Sequence, residues 1–262
     1  MKLLKIYTYI LTIILVLPLL ITFPAALTTT NYLTFPPIGF TFKWFVGLIQ
    51  DEMLIESLMR SLLLAIIVSF VSILIALPLS FALERYKLPG KNFIETFFMG
   101  PRMIPQIIFV LGLLIFYTKV GLPETYLGLV ISHLVIGVPL AFKTLSVSVN
   151  SLNKKLEWSA QILGANNLQI LIKIIFPQIK TGLIASFIFT FILSFNNVTM
   201  ALFLTSIGKR TLPVEMFNRM YISGIGPEIP AISFLLSIVG LIIFIVADRT
   251  VGVYKYMSGG EI

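Results

Sequence analysis

The chain has 262 residues, 58% of them hydrophobic and 11% charged, with a net charge of +8. Soluble globular domains carry about one quarter charged residues, so water is not this chain's main solvent. There is no cysteine and one histidine, which excludes disulfides, thiolate nucleophiles and multi-histidine metal sites. In a soluble protein the basic excess would suggest nucleic acid. Here no nucleic-acid partner, metal or cofactor is expected, and the cations read as loop residues retained on the cytoplasmic side of a lipid bilayer.

Six apolar stretches follow one another, near residues 6–27, 57–83, 96–117, 127–149, 178–205 and 229–250. A hydrocarbon core of ~30 Å takes roughly 20 apolar residues per helix, so each stretch is long enough for a tilted span. The first follows Lys2 and Lys5 like a signal peptide, but it is too long for a typical apolar core of one and reads as an uncleaved anchor. The expectation is an all-α polytopic membrane protein with about six transmembrane helices, in a single domain over 1–262. With the N-terminus inside, the inner loops collect Lys2, Lys5, Arg85, Lys87, Lys91, Lys154, Lys155, Lys173, Lys180, Arg249 and Lys255. The outer loops hold Lys43, Lys119, Lys209, Arg210 and Arg219. That bias places both termini in the cytoplasm of a cell whose plasma or inner membrane holds the protein.

Between the spans, residues 28–56 form a long outer loop with Pro36 and Pro37, then Trp44 and Phe45, aromatics suited to the membrane–water boundary. Residues 84–92 make a short basic inner turn at Pro89–Gly90. The longest inner segment is 150–177. Asn153 is placed to cap a short helix that runs to Leu163. Gly164 is placed to close it, because glycine tolerates left-handed backbone. A second helix is expected from about Asn167 to Pro177, where the fifth span begins. The product is a helix, a glycine corner and a helix at the cytoplasmic surface.

Ala160, Leu163-Gly164-Ala165, Ile174 and Phe176-Pro177 resemble the EAA loop of binding-protein-dependent ABC importer permeases, written EAAxxLGAxxxxxFxxVxLP. The stretch from Phe42 to Lys91 resembles the opening of these permeases. SFNNVTMALFLT and GKRTLPVEMFN resemble the spermidine/putrescine-type branch. The resemblance implies a type I importer fold. It implies a cytoplasmic ABC ATPase that seats Glu157, Trp158, Ala160, Leu163, Gly164 and Ala165 in a groove. It further implies a second permease subunit, identical or homologous, and an extracytoplasmic binding protein that delivers a small-molecule substrate. Two positions depart from the motif. Trp158 stands where its Glu belongs, with Glu157 one residue earlier, and Leu171 stands where its Phe belongs.

Polar residues within spans are costly and therefore informative. Arg102 lies between Pro101 and Pro105, where a broken ladder frees carbonyls beside a cation; alternatively it snorkels to the cytoplasmic surface. His133 in the fourth span reads as a pathway residue or as a neutral histidine bonding a neighbouring helix. Asn196 and Asn197 in the fifth span need partners, either another helix or a solute. The polyamine branch usually carries Asp at the Asn196 or Asn197 position. Amides and a guanidinium suit a neutral, zwitterionic or anionic solute better than a dication. An intramembrane protease lacks paired carboxylates or a serine partner for His133. A secondary transporter or channel would show inverted repeats or a filter, and neither is visible. No phosphate-binding GxxxxGK[ST] run is present, so ATP hydrolysis would belong to another chain.

Overall fold

The computed structural model describes residues 2–206 and 208–251; Lys255, one of the expected inner cations, lies outside the described residues. Among the described residues there are twelve α-helices and no strand. In hydrocarbon an unpaired backbone group costs several kcal/mol, and a helix pairs its own. The helices are α1 (Lys2–Ala26), α2 (Lys43–Gln50), α3 (Glu52–Arg85), α4 (Lys91–Met99), α5 (Gln106–Val120), α6 (Tyr126–Asn150), α7 (Lys154–Ile162), α8 (Asn167–Ile170), α9 (Phe176–Phe195), α10 (Val198–Leu204), α11 (Leu212–Ser223) and α12 (Glu228–Val251). A 3₁₀ turn, Gly100–Arg102, follows α4, and a π turn, Leu171–Ile175, joins α8 to α9.

Four uninterrupted helical runs are long and apolar enough to cross a membrane: α3, α6, Asn167–Phe195 and the Glu228–Val246 part of α12. A fifth span is the pair Lys91–Arg102 and Gln106–Val120, bent by 91°. The 25 residues of α1 extend roughly 37 Å at 1.5 Å per residue, but among the described residues the runs long and apolar enough to cross number four, or five with the bent pair, against the six expected.

Two expected spans are broken. The stretch 96–117 turns sharply at residues 103–105, because Pro105 cannot donate to the ladder and sits at the N-cap of α5 with extended backbone (ψ 126°). The stretch 178–205 stops at Phe195 and restarts at Val198. Conversely, Pro177 does not separate two helices as expected. The wider π turn before it absorbs the missing N–H, and the helix runs on into α9.

The chain divides into two compact units. One comprises the residues up to Leu58 with Val214–Val246, the other Met59–Pro213 with the residues from Ala247. The first is tied by rings and charge. Phe23 packs on Phe234 at 4.6 Å between centroids, with Phe45 against both. Trp44 Nε1 donates to the Thr28 carbonyl at 2.8 Å. Arg219 donates to both Asp51 oxygens, at 2.6 and 3.1 Å, and to Glu215 at 2.9 Å. Asp51 Oδ1 also accepts from Leu54 N, capping α3 at 3.0 Å. The Arg219 guanidinium holds the Asp51 carboxyl below its usual range, against the opposing effect of burial.

The second unit is organised by α6, which packs most extensively on α9. Ala141, Phe142 and Leu145 of α6 bury against Ala76 and Leu83 of α3. Gly137 permits the close approach of three helices. A Cβ there would lie 2.8 Å from Ser72 Oγ, 3.1 Å from Thr190 Cγ2 and 3.2 Å from Val68 Cγ1.

Gly137→Leu overpacks this crossing and is expected to cost ~1–3 kcal/mol, read as a lower Tm of the detergent-solubilised protein. Because the folded-state pKa of Asp51 is depressed, the stability it contributes is complete above its unfolded value and is lost as pH falls through the folded value. The Tm difference between wild type and Asp51→Asn should be constant at neutral pH and shrink below the ordinary carboxylate pKa of about 3.9.

Candidate functional site

Two helix breaks far apart in sequence meet at one cavity. α5 packs on α10, so the proline bend before α5 and the asparagine break before α10 come together. Between them lies a cavity of about 190 Å³. Pro101, Arg102, Ile104, Gln106 and Phe109 line it from the first break. Leu193 and Met200, three residues before Asn196 and three after Asn197, line it from the second, and Ile136 of α6 completes the wall. Irregular backbone at membrane depth is tolerated where it borders a cavity or packs on protein. Arg102 makes no ion pair or hydrogen bond among the described residues.

The other expected pathway residues sit beside this cavity rather than on its wall. Asn197 caps α10, its Oδ1 accepting from Met200 N at 2.9 Å. Its carbonyl oxygen thus fixes the start of the half-helix that carries Met200. Asn196 is the C-cap of α9 and is exposed. His133 is buried; its Nδ1 shares a 2.9 Å hydrogen bond with Ser194 Oγ, joining α6 to α9. That is the helix-bonding alternative for His133. Its Nε2 is buried without a partner among the described residues. Gln106, Ile136, Leu193 and Met200 were not singled out from sequence. Gln106 alone carried a signal, as a polar residue directly after Pro105.

The α6–α9 connection has the geometry expected of it. Asn153 Oδ1 accepts from Lys155 N at 3.0 Å and caps α7. Gly164 lies at φ +82°. Its N–H donates to Gln161 O at 2.9 Å and the Ala165 N–H donates to Ala160 O at 3.0 Å, the paired bonds of a Schellman corner. Asn166 and Gln169 then bond each other's backbone N–H at 2.9 Å, a capping box that starts α8. The corner is fixed from both sides.

Its surface is apolar and uncovered. Ile162 and Leu163 are each 87% exposed and Trp158 is 60% exposed. Ala160, Leu163, Gly164 and Ala165 border a shallow concavity with Gln169, Lys173 and Ile174. On the inner side, Ala160 and Ala165 pack against a core of Val149, Leu152, Ile170, Ile175 and Ile179. Glu157 turns away from the exposed face. It takes two hydrogen bonds from Arg85, at 2.7 and 2.9 Å.

Residues 75–254, well over half of the chain, match the model of the family described as binding-protein-dependent transport system inner membrane component. The spermidine/putrescine transport system permease protein PotC of Shigella flexneri is 27% identical over 229 residues, 86% of this chain and 84% of the relative. The trehalose transport system permease protein SugB of Mycobacterium tuberculosis is 28% identical over 183 residues, 70% and 67% of the two chains. A crystal structure of a bacterial ABC transporter that imports the acidic polysaccharide alginate aligns with a TM-score of 0.68 at 17% identity, over 95% of each chain. The all-helical fold with its broken spans is therefore that of an ABC importer permease, and this chain belongs to the family of binding-protein-dependent transport system inner membrane components.

Proposed function

We propose that the chain, acting as one permease domain over 1–262, forms part of the path of a small polar organic solute, with Arg102 facing that path. The observation that carries this is the convergence of two helix breaks on one cavity beside a guanidinium unpaired among the described residues. Discontinuous helices are where transporters place their sites, because freed backbone groups and helix ends coordinate the solute. An extracytoplasmic binding protein delivers the solute, a second permease subunit supplies the facing wall, and a separate cytoplasmic ATPase drives the cycle. Both termini are cytoplasmic, as the Lys/Arg distribution favours.

The relatives are named for polyamines and for trehalose, so the solute is read from the cavity. Arg102 and Gln106 are its polar side chains, and no carboxylate lines it among the described residues. A dication would be repelled; like charges ~4 Å apart cost ~4 kcal/mol at an effective dielectric of 20. A carboxylate, sulfonate or phosphonate would be attracted. Asn197 and His133 serve here by holding the walls, through α10 and through Ser194, and Asn196 lies at the edge of the path.

The α7–α8 corner is the ATPase contact. Three exposed apolar side chains on a rigid, doubly capped turn are what a groove on another protein would bury. Glu157 holds the helix in place, and the groove receives Trp158, Leu163 and Gly164.

Two measurements test these assignments. A Cβ on Gly164 meets nothing within 4 Å among the described residues, so Gly164→Ala costs only the left-handed backbone, ~1–2 kcal/mol. Gly164→Glu should insert normally, yet abolish uptake and receptor-stimulated ATP hydrolysis, because its bulk meets the ATPase. Normal stimulation in that variant would remove the corner from the contact. In reconstituted transport with polyamines, zwitterions and anions, Arg102→Ala should lower uptake of the anion by tenfold or more, ~1.4 kcal/mol. Efficient spermidine uptake that Arg102→Ala does not improve would overturn the charge assignment.

A further inference from the structure

The Arg85–Glu157 pair joins elements that the sequence separates by 72 residues. Arg85 is the last residue of α3, and Glu157 is in the first turn of α7. Each charge suits its own helix end, since a cation is favoured at a C-terminus and an anion at an N-terminus. The pair is bidentate, 2.7 and 2.9 Å, and both side chains are mostly covered, at 15% and 13% exposure. Two parallel bonds in that setting fix orientation as well as distance. α7 itself buries no residue completely. Its remaining anchors, Ala160 and the corner, lead into α8 and α9.

One residue before Arg85, Glu84 accepts from Lys91 Nζ at 3.1 Å. Lys91 is the first residue of α4. α4 runs through the 3₁₀ turn to Arg102 and the 91° bend at the cavity. The end of α3 thus touches the corner helix on one side and the helix of the bend on the other.

We propose that Arg85 and Glu157 are positioning residues that transmit movement of α7 to α3 and α4, and so to the Arg102 bend. The corner already pulls on α9 through the continuous helix from Asn167. The Arg85–Glu157 strut adds a second connection, so a displacement of α7 moves both breaks rather than one. Without it α7 swings about Gly164, and ATP is hydrolysed without opening the bend before α5. Lys91 is more exposed and makes a single bond to Glu84, so its contribution is smaller.

This rests on the α7–α8 corner being the ATPase contact. The test uses the full complex of permeases, ATPase and binding protein in proteoliposomes. Arg85→Ala and Arg85→Gln should co-purify the ATPase and keep basal hydrolysis, while solute moved per ATP falls about fivefold or more, the lower range of measured couplings between sites. Lys91→Ala should fall less. The reversed pair, Arg85→Glu with Glu157→Arg, should recover most of the loss, which a merely space-filling role would not allow. Unchanged solute per ATP in the single variants overturns the strut, as does a reversed pair no better than either single. Should the single variants fail to assemble, the reversed pair decides alone: assembled and coupled supports the strut, assembled and uncoupled refutes it. Gly164→Glu in parallel separates the two ideas. If it uncouples while Arg85→Ala does not, the corner stands and the strut falls; if neither uncouples, the corner assignment itself has failed.

Discussion

A bilayer offers no water to an unpaired peptide group, and that one constraint governs this chain. Every helix break inside a span exposes carbonyls and amides that cost several kcal/mol unless something else pairs or wets them. The chain nonetheless carries two such breaks, at residues 103–105 and at Asn196–Asn197. Each is paired as far as local chemistry allows. Met103 N donates to Gly100 O at 2.9 Å, and Asn197 Oδ1 takes the Met200 N–H. The packing of α5 on α10 brings both breaks beside one cavity.

The sequence was a good guide wherever the physics is local. Apolar runs placed the spans, Asn153 and Gly164 placed the corner, and Pro101 and Pro105 placed the first break around Arg102. It misled where a local cue is weak or ambiguous. Asn-Asn within an apolar run scores as continuous span, although each amide competes with the backbone for its hydrogen bonds. Pro177 looks like a stop, yet a π turn two residues earlier accommodates it. Long-range pairing left no trace at all. Nothing in the order of residues says that Glu157 meets Arg85, or that Arg219 meets Asp51 from 168 residues away. The cavity wall at Leu193, Met200 and Ile136 is apolar and could not be told from ordinary core before the helices were packed.

The second unit combines stiff and loose elements in a way that suits a moving part. The corner is stiff: two caps, a Schellman turn and a bidentate ion pair leave it little freedom. The seam among α3, α6 and α9 is different. Ser69 and Ser80 donate to their own helix, to Ala65 O and Ala76 O. Ser72, Ser186 and Thr190 bury hydroxyls that bond nothing among the described residues. Cross-helix bonds there include His133 with Ser194, and a long 3.4 Å contact from Ser80 to Phe142 O. Small side chains let the helices approach closely at Gly137 without locking them together. A hydroxyl with no fixed partner loses little when its neighbour slides, whereas a cross-helix hydrogen bond would have to break. Helix packing in membranes gains mainly from close contact, and a smooth polar-flecked seam keeps that contact in more than one register. Under the proposed ATPase contact, force entering at the rigid corner displaces whole helices at the seam, and the displacement is taken up where the helices are already broken.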